Sequence, residues 1–356
     1  TFLGNQASSG GAVSVESSAG LQMFDVSGSD NIATGGDGGF LFARFASPIL
    51  LRGVNIQRSS ASSKGSGGGG LAVYSSRVAM ERVRVQDCQA GRGGGGALLL
   101  DGEAEAHMFD VMLDRNEAAT ASGGHVQVVA SSLIIQSQST MVTWPKDEPV
   151  FPVARTLTST SGTVMTRGVA SVSGGSVSCI ASSSDSGEVL SIFNENSADC
   201  QSTSYEYRLS AADPSTAPPQ YACPSRGIFF GKGTRLNESI AVGGGGGGGG
   251  AVSSILCSIS MTGTSVTSST TKKGDGGALL LSLDSTLRVD GTSTFESNEA
   301  AAGSGGAISC QACALMEFKD GTEFLLNKAG DSGGAVHLRF PKSPVISSGT
   351  WFIGNT

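Results

Sequence analysis

Residues 295–308 read FESNEAAAGSGGAI, and this stretch decides the fold because it recurs along the chain. The next copy, residues 324–336, reads FLLNKAGDSGGAV, and the first copy, residues 2–13, reads FLGNQASSGGAV. Residues 113–124 carry the same unit with Leu in place of Phe. A unit that recurs at an interval of roughly 20 to 50 residues predicts stacked supersecondary units.

The second glycine of each pair gives the interval between copies. It falls at positions 11, 39, 70, 96 and 124, and again at 250, 277, 306 and 334. The apolar runs after these pairs have the length of strands, and other short runs alternate polar and apolar residues with period two. We therefore predict an all-β fold, a right-handed parallel β-helix (solenoid) of about twelve three-sided coils with a period near 28 residues.

Each repeated residue type has an expected task in such a coil. We expect each coil to point one Phe inward, where it stacks on the Phe of the next coil. Asn at the turn is expected to tolerate unusual φ and to bond its own turn and the Asn one coil away. Glycine admits positive φ and close approach of the next coil. The repeat residues are Phe2, Asn5, Gly10, Gly11, Asn116, Gly123, Gly124, Phe193, Asn196, Phe295, Asn298, Gly305, Gly306, Phe324, Asn327, Gly333 and Gly334.

Composition and spacing predict one domain, a single β-helix segment of a longer protein over residues 1–356. Glycine supplies 53 residues and charged residues only 15%, and a solenoid of this length needs no division into globular domains. Regular coils are expected over 1–130 and 251–356. Residues 131–250 are expected to hold insertion-bearing coils, three to four of them between positions 124 and 250, with excursions near 142–154 and 199–226.

Charge and hydropathy exclude two classes of partner for this segment. The net charge is −7 and the pI is about 5.0, so nucleic acid is a poor partner. No apolar stretch approaches the eighteen or so residues that span a bilayer. Residue 1 is not Met, so we expect further sequence or a removed leader upstream.

Cysteine spacing predicts one disulfide, between Cys200 and Cys223, at the base of a surface excursion. Loop closure of this length contributes about 3 kcal/mol; the alternative is two unrelated buried thiols. Cys310 and Cys313 have redox spacing, but on a strand their side chains are expected to face opposite ways. Asn237 begins a glycosylation sequon, Asn-Glu-Ser, that matters only in a secretory compartment.

Two further groups of residues are candidates for binding or chemistry. The excursions place Trp144, Tyr205, Tyr207 and Tyr221 in a candidate partner-binding loop surface. A carbohydrate-active site would use clustered carboxylates with Arg on one outer face. The residues that stacking would bring together for it are Arg84, Asp87, Asp110, Asp114 and Arg115. The alternative for that cluster is solvated charges on turns.

The paired FxxN and GGA(I/L/V) motifs resemble the repeats of the polymorphic outer-membrane proteins of chlamydiae and of a wider group of surface β-helix proteins. The match covers about residues 1–130 and 251–356, and the middle of the chain departs from it. The resemblance implies a secreted, surface-exposed parallel β-helix that serves in adhesion.

We therefore predict a non-enzymatic extracellular or cell-surface protein, a structural or adhesive β-helix that forms part of a rod, stalk or filament. The alternative is a carbohydrate-active or glycan-binding β-helix, related in fold to polysaccharide lyases and hydrolases. No catalytic residue, metal or cofactor is predicted. The expected partners are further segments of the same protein or end-to-end partners at the open coil ends, and a surface receptor or glycan, with no nucleic acid and no membrane span in this segment.

Overall fold

The computed structural model is an all-β parallel solenoid, as the repeat predicts. It describes residues 1–17, 20–46, 49–63, 66–136, 162–180, 227–243, 247–319, 321–343 and 345–356. These residues form strands joined by turns and bends, with no helix among them. Every strand pairs in parallel with the equivalent strand of the next coil.

Each coil contributes one short strand to sheet A and one to sheet B. Sheet A stacks β1 (Phe2–Leu3), β5 (Ser27–Ser29), β9 (Asn55–Gln57), β13 (Arg84–Gln86), β17 (Met112–Asp114), β21 (Val164–Thr166), β25 (Arg235–Asn237), β29 (Ser265–Thr267), β33 (Thr294–Glu296), β37 (Glu323–Leu325) and β41 (Trp351–Ile353). Sheet B stacks β2 (Gln6–Ala7), β6 (Ile32–Ala33), β10 (Ser60–Ala61), β14 (Gln89–Ala90), β18 (Glu117–Ala118), β22 (Val169–Ala170), β26 (Ile240–Ala241), β30 (Thr270–Thr271), β34 (Glu299–Ala300) and β38 (Lys328–Ala329).

The longer strands of each coil form sheets C and D. Sheet C stacks β3 (Val13–Glu16), β7 (Leu41–Arg44), β11 (Leu71–Tyr74), β15 (Leu98–Asp101), β19 (Val126–Val129), β23 (Val177–Ile180), β27 (Val252–Ile255), β31 (Leu279–Ser282), β35 (Ile308–Gln311) and β39 (Val336–Arg339). Sheet D stacks β4 (Leu21–Phe24), β8 (Ile49–Arg52), β12 (Arg77–Glu81), β16 (Glu105–Phe109), β20 (Ser132–Gln136), β24 (Gly227–Phe230), β28 (Ser258–Thr262), β32 (Thr286–Asp290), β36 (Leu315–Phe318) and β40 (Val345–Ser347).

The coil count and the shape of the coil both differ from the sequence prediction. The described residues give eleven strands in sheet A and ten in each other sheet, so they make about ten coils where twelve were expected. Each coil has four strands where three sides were expected, because the turn at the Asn position divides one side into the short strands of sheets A and B. At about 4.8 Å per coil, the stack is about 48 Å long.

The interior is filled by alternate residues of the long strands. Leu98 and Leu100 of β15 are fully buried and lie in register with Val126 and Val128 of β19. Leu99, between them, faces the other way, yet it is only 4% exposed and packs in a separate cluster on the outer side. Outward-facing positions of sheet C are therefore not uniformly in water, in contrast to the simple alternation that period two predicts.

The glycine pairs are required by the close approach of successive coils. Gly305 has φ +74, in the left-handed region, and a Cβ on Gly306 would lie 2.0 Å from the carbonyl oxygen of Gly334. In the third coil, the glycine pair equivalent to Gly305 and Gly306 is Gly68, with φ +65, and Gly69. The second glycine there is position 69, where the sequence suggested 70, because a run of four glycines conceals the register.

Between positions 124 and 250, the described strands make fewer coils than predicted. Sheet C passes from β19 to β23 to β27, so two coil steps span this interval where three to four coils were expected. The intermediate pair is Gly174 and Gly175, with Gly174 at φ +61. Phe193 and Asn196, which suggested another repeat there, lie outside the described residues.

Small hydroxyl side chains satisfy backbone N–H groups at two of the corners. Between sheets C and D, Ser76 Oγ accepts a hydrogen bond from the backbone N–H of Ala46, at 2.9 Å. Between sheets D and A, Ser293 Oγ accepts one from the N–H of Thr264, at 3.1 Å. Buried backbone donors cost free energy when unpaired, so these contacts stabilise the stacking of adjacent coils.

Candidate functional site

The corner between sheets A and B carries a buried file of polar side chains. Asn298 Nδ2 donates to the carbonyl oxygen of Val266 in the preceding coil, at 3.0 Å, and to Asn327 Oδ1 in the next, at 3.0 Å. Asn327 repeats this pattern with Phe295 and Asn355. We call this row of positions, which takes one residue from each coil, the buried file. Its positions are Asn5, Asn31, Ser59, Cys88, Asn116, Gly168, Ser239, Ser269, Asn298, Asn327 and Asn355.

The unusual φ expected of Asn falls on the residue before it. Positive φ occurs at Arg115, Ser297 and Leu326, at 49°, 54° and 53°. Each of these residues points outward at the bend, while the Asn that follows turns its amide inward. The Asn is therefore placed by its hydrogen bonds to the adjacent coils, and its own backbone carries no left-handed strain.

His125 fills the file position that lacks a side chain. Gly168 stands where most other coils have Asn or Ser, and a Cβ there would lie 2.8 Å from the His125 ring. Asn116 Nδ2 donates to His125 Nδ1, and His125 Nε2 donates to the carbonyl oxygen of Thr166, both at 3.0 Å. Burial, as the main cause, lowers the pKa of His125 to about 4, so the ring is neutral at pH 7.

The row of inward-facing side chains in sheet A, separate from the buried file, ends in stacked aromatic rings at its C-terminal end. Phe295, Phe324 and Phe352 are stacked with centroids 5.0 and 4.8 Å apart. At the other end, Phe2 instead meets the edge of Phe40, at 5.7 Å. The expectation of one inward Phe from every coil is wrong, because the middle coils place smaller residues in this inward row of sheet A. These residues are Gly28, Ile56, Val85, Leu113, Met165, Leu236 and Val266.

A ladder of acidic and basic side chains runs along the outer edge of the same corner. Arg58 Nε donates to Asp30 Oδ1 at 2.8 Å, and Arg115 Nε donates to Asp87 Oδ1 at 2.6 Å. Asp114 binds the guanidinium groups of Arg115 and Arg167, each at 2.7 Å. We call these three carboxylates and three guanidinium groups the charge ladder; it consists of Asp30, Arg58, Asp87, Asp114, Arg115 and Arg167.

The charge ladder brings together three of the five residues predicted as a carboxylate cluster, and it leaves out the other two. Asp87, Asp114 and Arg115 are in contact. Arg84 lies on the exposed outer side of β13, and Asp110 lies at the corner between sheets D and A. Asp110 makes a contact of its own but is not in the ladder.

Electrostatics favour the ionised form of two ladder carboxylates, Asp87 and Asp30. The hydrogen bond from Arg115 is the main reason that the pKa of Asp87 is lowered, and the hydrogen bond from Arg58 lowers the pKa of Asp30 to about 2. A general acid needs the opposite, a raised pKa that keeps its proton near neutral pH. These carboxylates are therefore suited to holding neighbouring coils together.

Asp30, Arg58 and Arg167 were missed in the sequence, although a signal for them exists. Asp30, Arg58, Asp87, Arg115 and Arg167 each stand one position before the file residue of their coil. Aligning the coils on that file places the five in one column. No fixed residue type marks the column, because its charges change sign from one coil to another.

The structure contains two disulfides in the described residues, neither of them the predicted one. Cys179 of β23 is bonded to Cys257, which follows β27 one coil later, and Cys310 is bonded to Cys313. The expectation that the side chains of Cys310 and Cys313 face opposite ways is wrong. Ala312, at φ +57, bends the chain between them and turns both sulfurs inward.

Several predicted residues lie outside the described residues. They are Cys200 and Cys223 of the predicted disulfide, and Trp144, Tyr205, Tyr207 and Tyr221 of the candidate partner-binding surface. Asn237, the sequon residue, is described and is the last residue of β25, half-buried on the outer side of sheet A.

The described residues show no metal site and no membrane-spanning helix, and comparison with known proteins identifies no relative. Within the described ranges, no group of three or more His, Cys, Asp or Glu side chains is arranged to hold a metal ion. No helix in that part of the chain is long and apolar enough to cross a membrane. No family model, no curated protein and no solved structure matches the chain.

Proposed function

We propose that this chain is a non-enzymatic, extracellular structural or adhesive β-helix that forms a segment of a rod, stalk or filament at a cell surface. The observation that carries the proposal is the role of the carboxylates in the charge ladder. Each of them is bonded to a guanidinium group of an adjacent coil, so the acidic residues that a carbohydrate-active enzyme would use for catalysis serve here to join coils.

Two further observations support this proposal. The disulfides Cys179–Cys257 and Cys310–Cys313 suit an oxidising compartment such as the cell exterior. The resemblance of the repeats to those of chlamydial polymorphic outer-membrane proteins favours adhesion, and kinship with that family is part of the proposal. Partners that extend the rod end to end, and a surface receptor or glycan, are also part of it.

Location and adhesion are tested directly on cells that produce the protein. Antibodies raised against residues 251–356 should label intact cells, and particles coated with the purified chain should bind a host surface more than particles coated with unfolded, reduced chain. Labelling that appears only after the cells are permeabilised would contradict the proposed location. Equal binding of folded and unfolded chain would contradict adhesion by the solenoid.

A glycan-binding or carbohydrate-active role is the second candidate, and the exposed side of the charge ladder favours it. The side chains of Arg115 and Arg167 are 45% and 49% exposed, so their outer N–H groups can reach the carboxylates or sulfates of an acidic glycan. The test is binding and turnover of acidic and neutral polysaccharides, with Asp114→Asn and Arg115→Gln as variants. Turnover that these substitutions abolish would overturn the non-enzymatic proposal.

A further inference from the structure

Asn237 stands on the outer side of sheet A, where its neighbours in register on both adjacent coils are threonines. In β25, Leu236 is fully buried and Asn237 points the other way, half-buried. Its neighbours in register are Thr166 one coil before and Thr267 one coil after. The outer face beside Asn237 therefore has no bulky side chain in register with it, one coil away in either direction.

The hydrogen bonding of Asn237 leaves its amide nitrogen available. Asn237 Oδ1 accepts a hydrogen bond from Thr267 Oγ1 at 2.7 Å. Among the described residues, none accepts a hydrogen bond from Asn237 Nδ2. The hydrogen bond from Thr267 orients the Asn237 amide through its oxygen and leaves the nitrogen toward solvent. The nitrogen is the atom that carries an N-linked glycan.

The third residue of the sequon has a different place. Ser239 lies in the buried file between sheets A and B, with no exposed surface, and its Oγ lies 2.5 Å from Ser176 Oγ. Glu238, between the two, has φ +52 and is exposed. The bend at Glu238 therefore places the acceptor amide outside the solenoid and the sequon hydroxyl inside it.

We propose that Asn237 is an N-glycosylation site that is modified before the chain folds. In this reaction Asn237 Nδ2 forms a bond to C1 of the first sugar of a lipid-diphosphate-linked oligosaccharide. The bond from C1 to the diphosphate breaks, the diphosphate leaves with the electron pair, and the amide proton passes to a base. Recognition needs the Asn amide and the Ser hydroxyl together, and folding separates them by burying Ser239.

The finished solenoid accommodates the glycan without disturbing its core. The side chain of Asn237 is not part of the buried file, so a sugar on its nitrogen extends into solvent from the outer face of sheet A. The hydrogen bond from Thr267 Oγ1 uses the side-chain oxygen, and those from Ser239 Oγ and the N–H of Arg167 use the backbone carbonyl, so none of them involves the amide nitrogen. The glycan would cover this face of the middle coils and direct lateral contacts to the other sheets.

The test is secretion of the full chain, behind a cleaved leader, from eukaryotic cells that carry out N-glycosylation. The peptide containing Asn237 should carry a glycan that an N-glycosidase removes with conversion of Asn to Asp, and the Asn237→Gln and Ser239→Ala chains should both lose this mass shift completely. Asn237→Gln leaves the buried file intact, so that secreted variant should keep the disulfide Cys179–Cys257. Secreted wild-type chain with unmodified Asn237 would overturn the proposal.

The timing is tested with purified, unmodified chain as the acceptor in vitro. Reduced and unfolded chain should accept the oligosaccharide, and folded chain should not; equal modification of both would overturn the inference that folding withdraws the site. The proposal rests on the proposed extracellular location, but the two fail separately. Surface labelling of native cells reports location alone, whereas the secreted chain reports whether Asn237 is an acceptor.

Discussion

His125 gives the sharpest test of the packing, because it is a titratable group buried in the interior. Its pKa is lowered from 6.5 to about 4, chiefly by burial. The unfolded chain therefore binds the proton more tightly than the folded chain, and the stability that the neutral ring permits is lost as the pH falls from about 6.5 toward 4. Protonation also removes the lone pair of Nδ1 that accepts from Asn116.

The shift sets the expected size of the effect. A difference of about 2.5 units at about 1.36 kcal/mol per unit corresponds to a full loss of about 3 kcal/mol below pH 4. At pH 5 about 2 kcal/mol of this is already lost, because the unfolded ring is almost fully protonated there and the folded ring is not. Above about pH 7.5 both rings are neutral and stability no longer depends on pH through this group.

The assay compares wild-type chain with His125→Ala by urea unfolding at several pH values. Alanine stands at the equivalent position of the preceding coil, Ala97, so the variant keeps the local backbone. At pH 7.5 the variant should be less stable, because it leaves a cavity beside Gly168. The difference between the two chains should shrink by about 2 kcal/mol on going to pH 5. Parallel stability curves from pH 7.5 to pH 5 would refute the reasoning.

Three other tests, each by substitution, address the stacking of coils. Gly306→Ala should cost about 3 kcal/mol or more, measured by urea unfolding, because its Cβ would lie 2.0 Å from a carbonyl oxygen of the next coil; the neighbouring Ala307→Gly, which only removes a methyl group, should cost about 1 kcal/mol. Phe324→Ala should cost about 3 to 5 kcal/mol by the same measurement, since the ring is fully buried between two others, and a cost near zero would contradict the stack. Replacing Cys179 and Cys257 together by Ser should lower stability by about 4 kcal/mol, because the disulfide closes a loop with a sequence separation of 78; equal stability of reduced and oxidised wild-type chain would contradict this.

The solenoid could be predicted from the sequence because each position of a glycine pair has a backbone conformation or a close contact that only glycine permits. Gly305 needs a left-handed φ and Gly306 has no room for a Cβ, so the pair recurs wherever a coil closes. The same logic fails within runs of glycine. Positions 67–70 are all glycine, and only the pairing with the next coil shows that Gly68 and Gly69 form the pair.

The coil count and the charge ladder depend on contacts between coils that no single repeat reveals. Gly174 and Gly175 are followed by Ser176 in place of Ala or Phe, so this coil lacks the usual motif. The ladder column holds Asp in some coils and Arg in others, and opposite charges attract only after the coils are stacked. A search for repeated residue types therefore passes over it.

The disulfides were missed for a related physical reason. Cys179 and Cys257 are 78 residues apart, and they meet only because one coil step joins β23 to β27. Three to four coils were expected between positions 124 and 250, with one further repeat at Phe193. On that expectation the two residues would lie more than one coil apart along the rod, too far to bond. The correct number of coils has to be known before the pairing can be derived.

The most direct test of the central claim is a distance along the rod. Spin labels attached through non-canonical amino acids at Gln6 and Lys328 would leave the seven cysteines unchanged, and both positions are exposed in sheet B. Nine coil steps separate them in that sheet. At about 4.8 Å per step, pulsed electron paramagnetic resonance should give a distance of about 43 Å between the two labels. A distance below about 30 Å, or one that matches about eleven or more steps at this spacing, would contradict a stack of ten parallel coils.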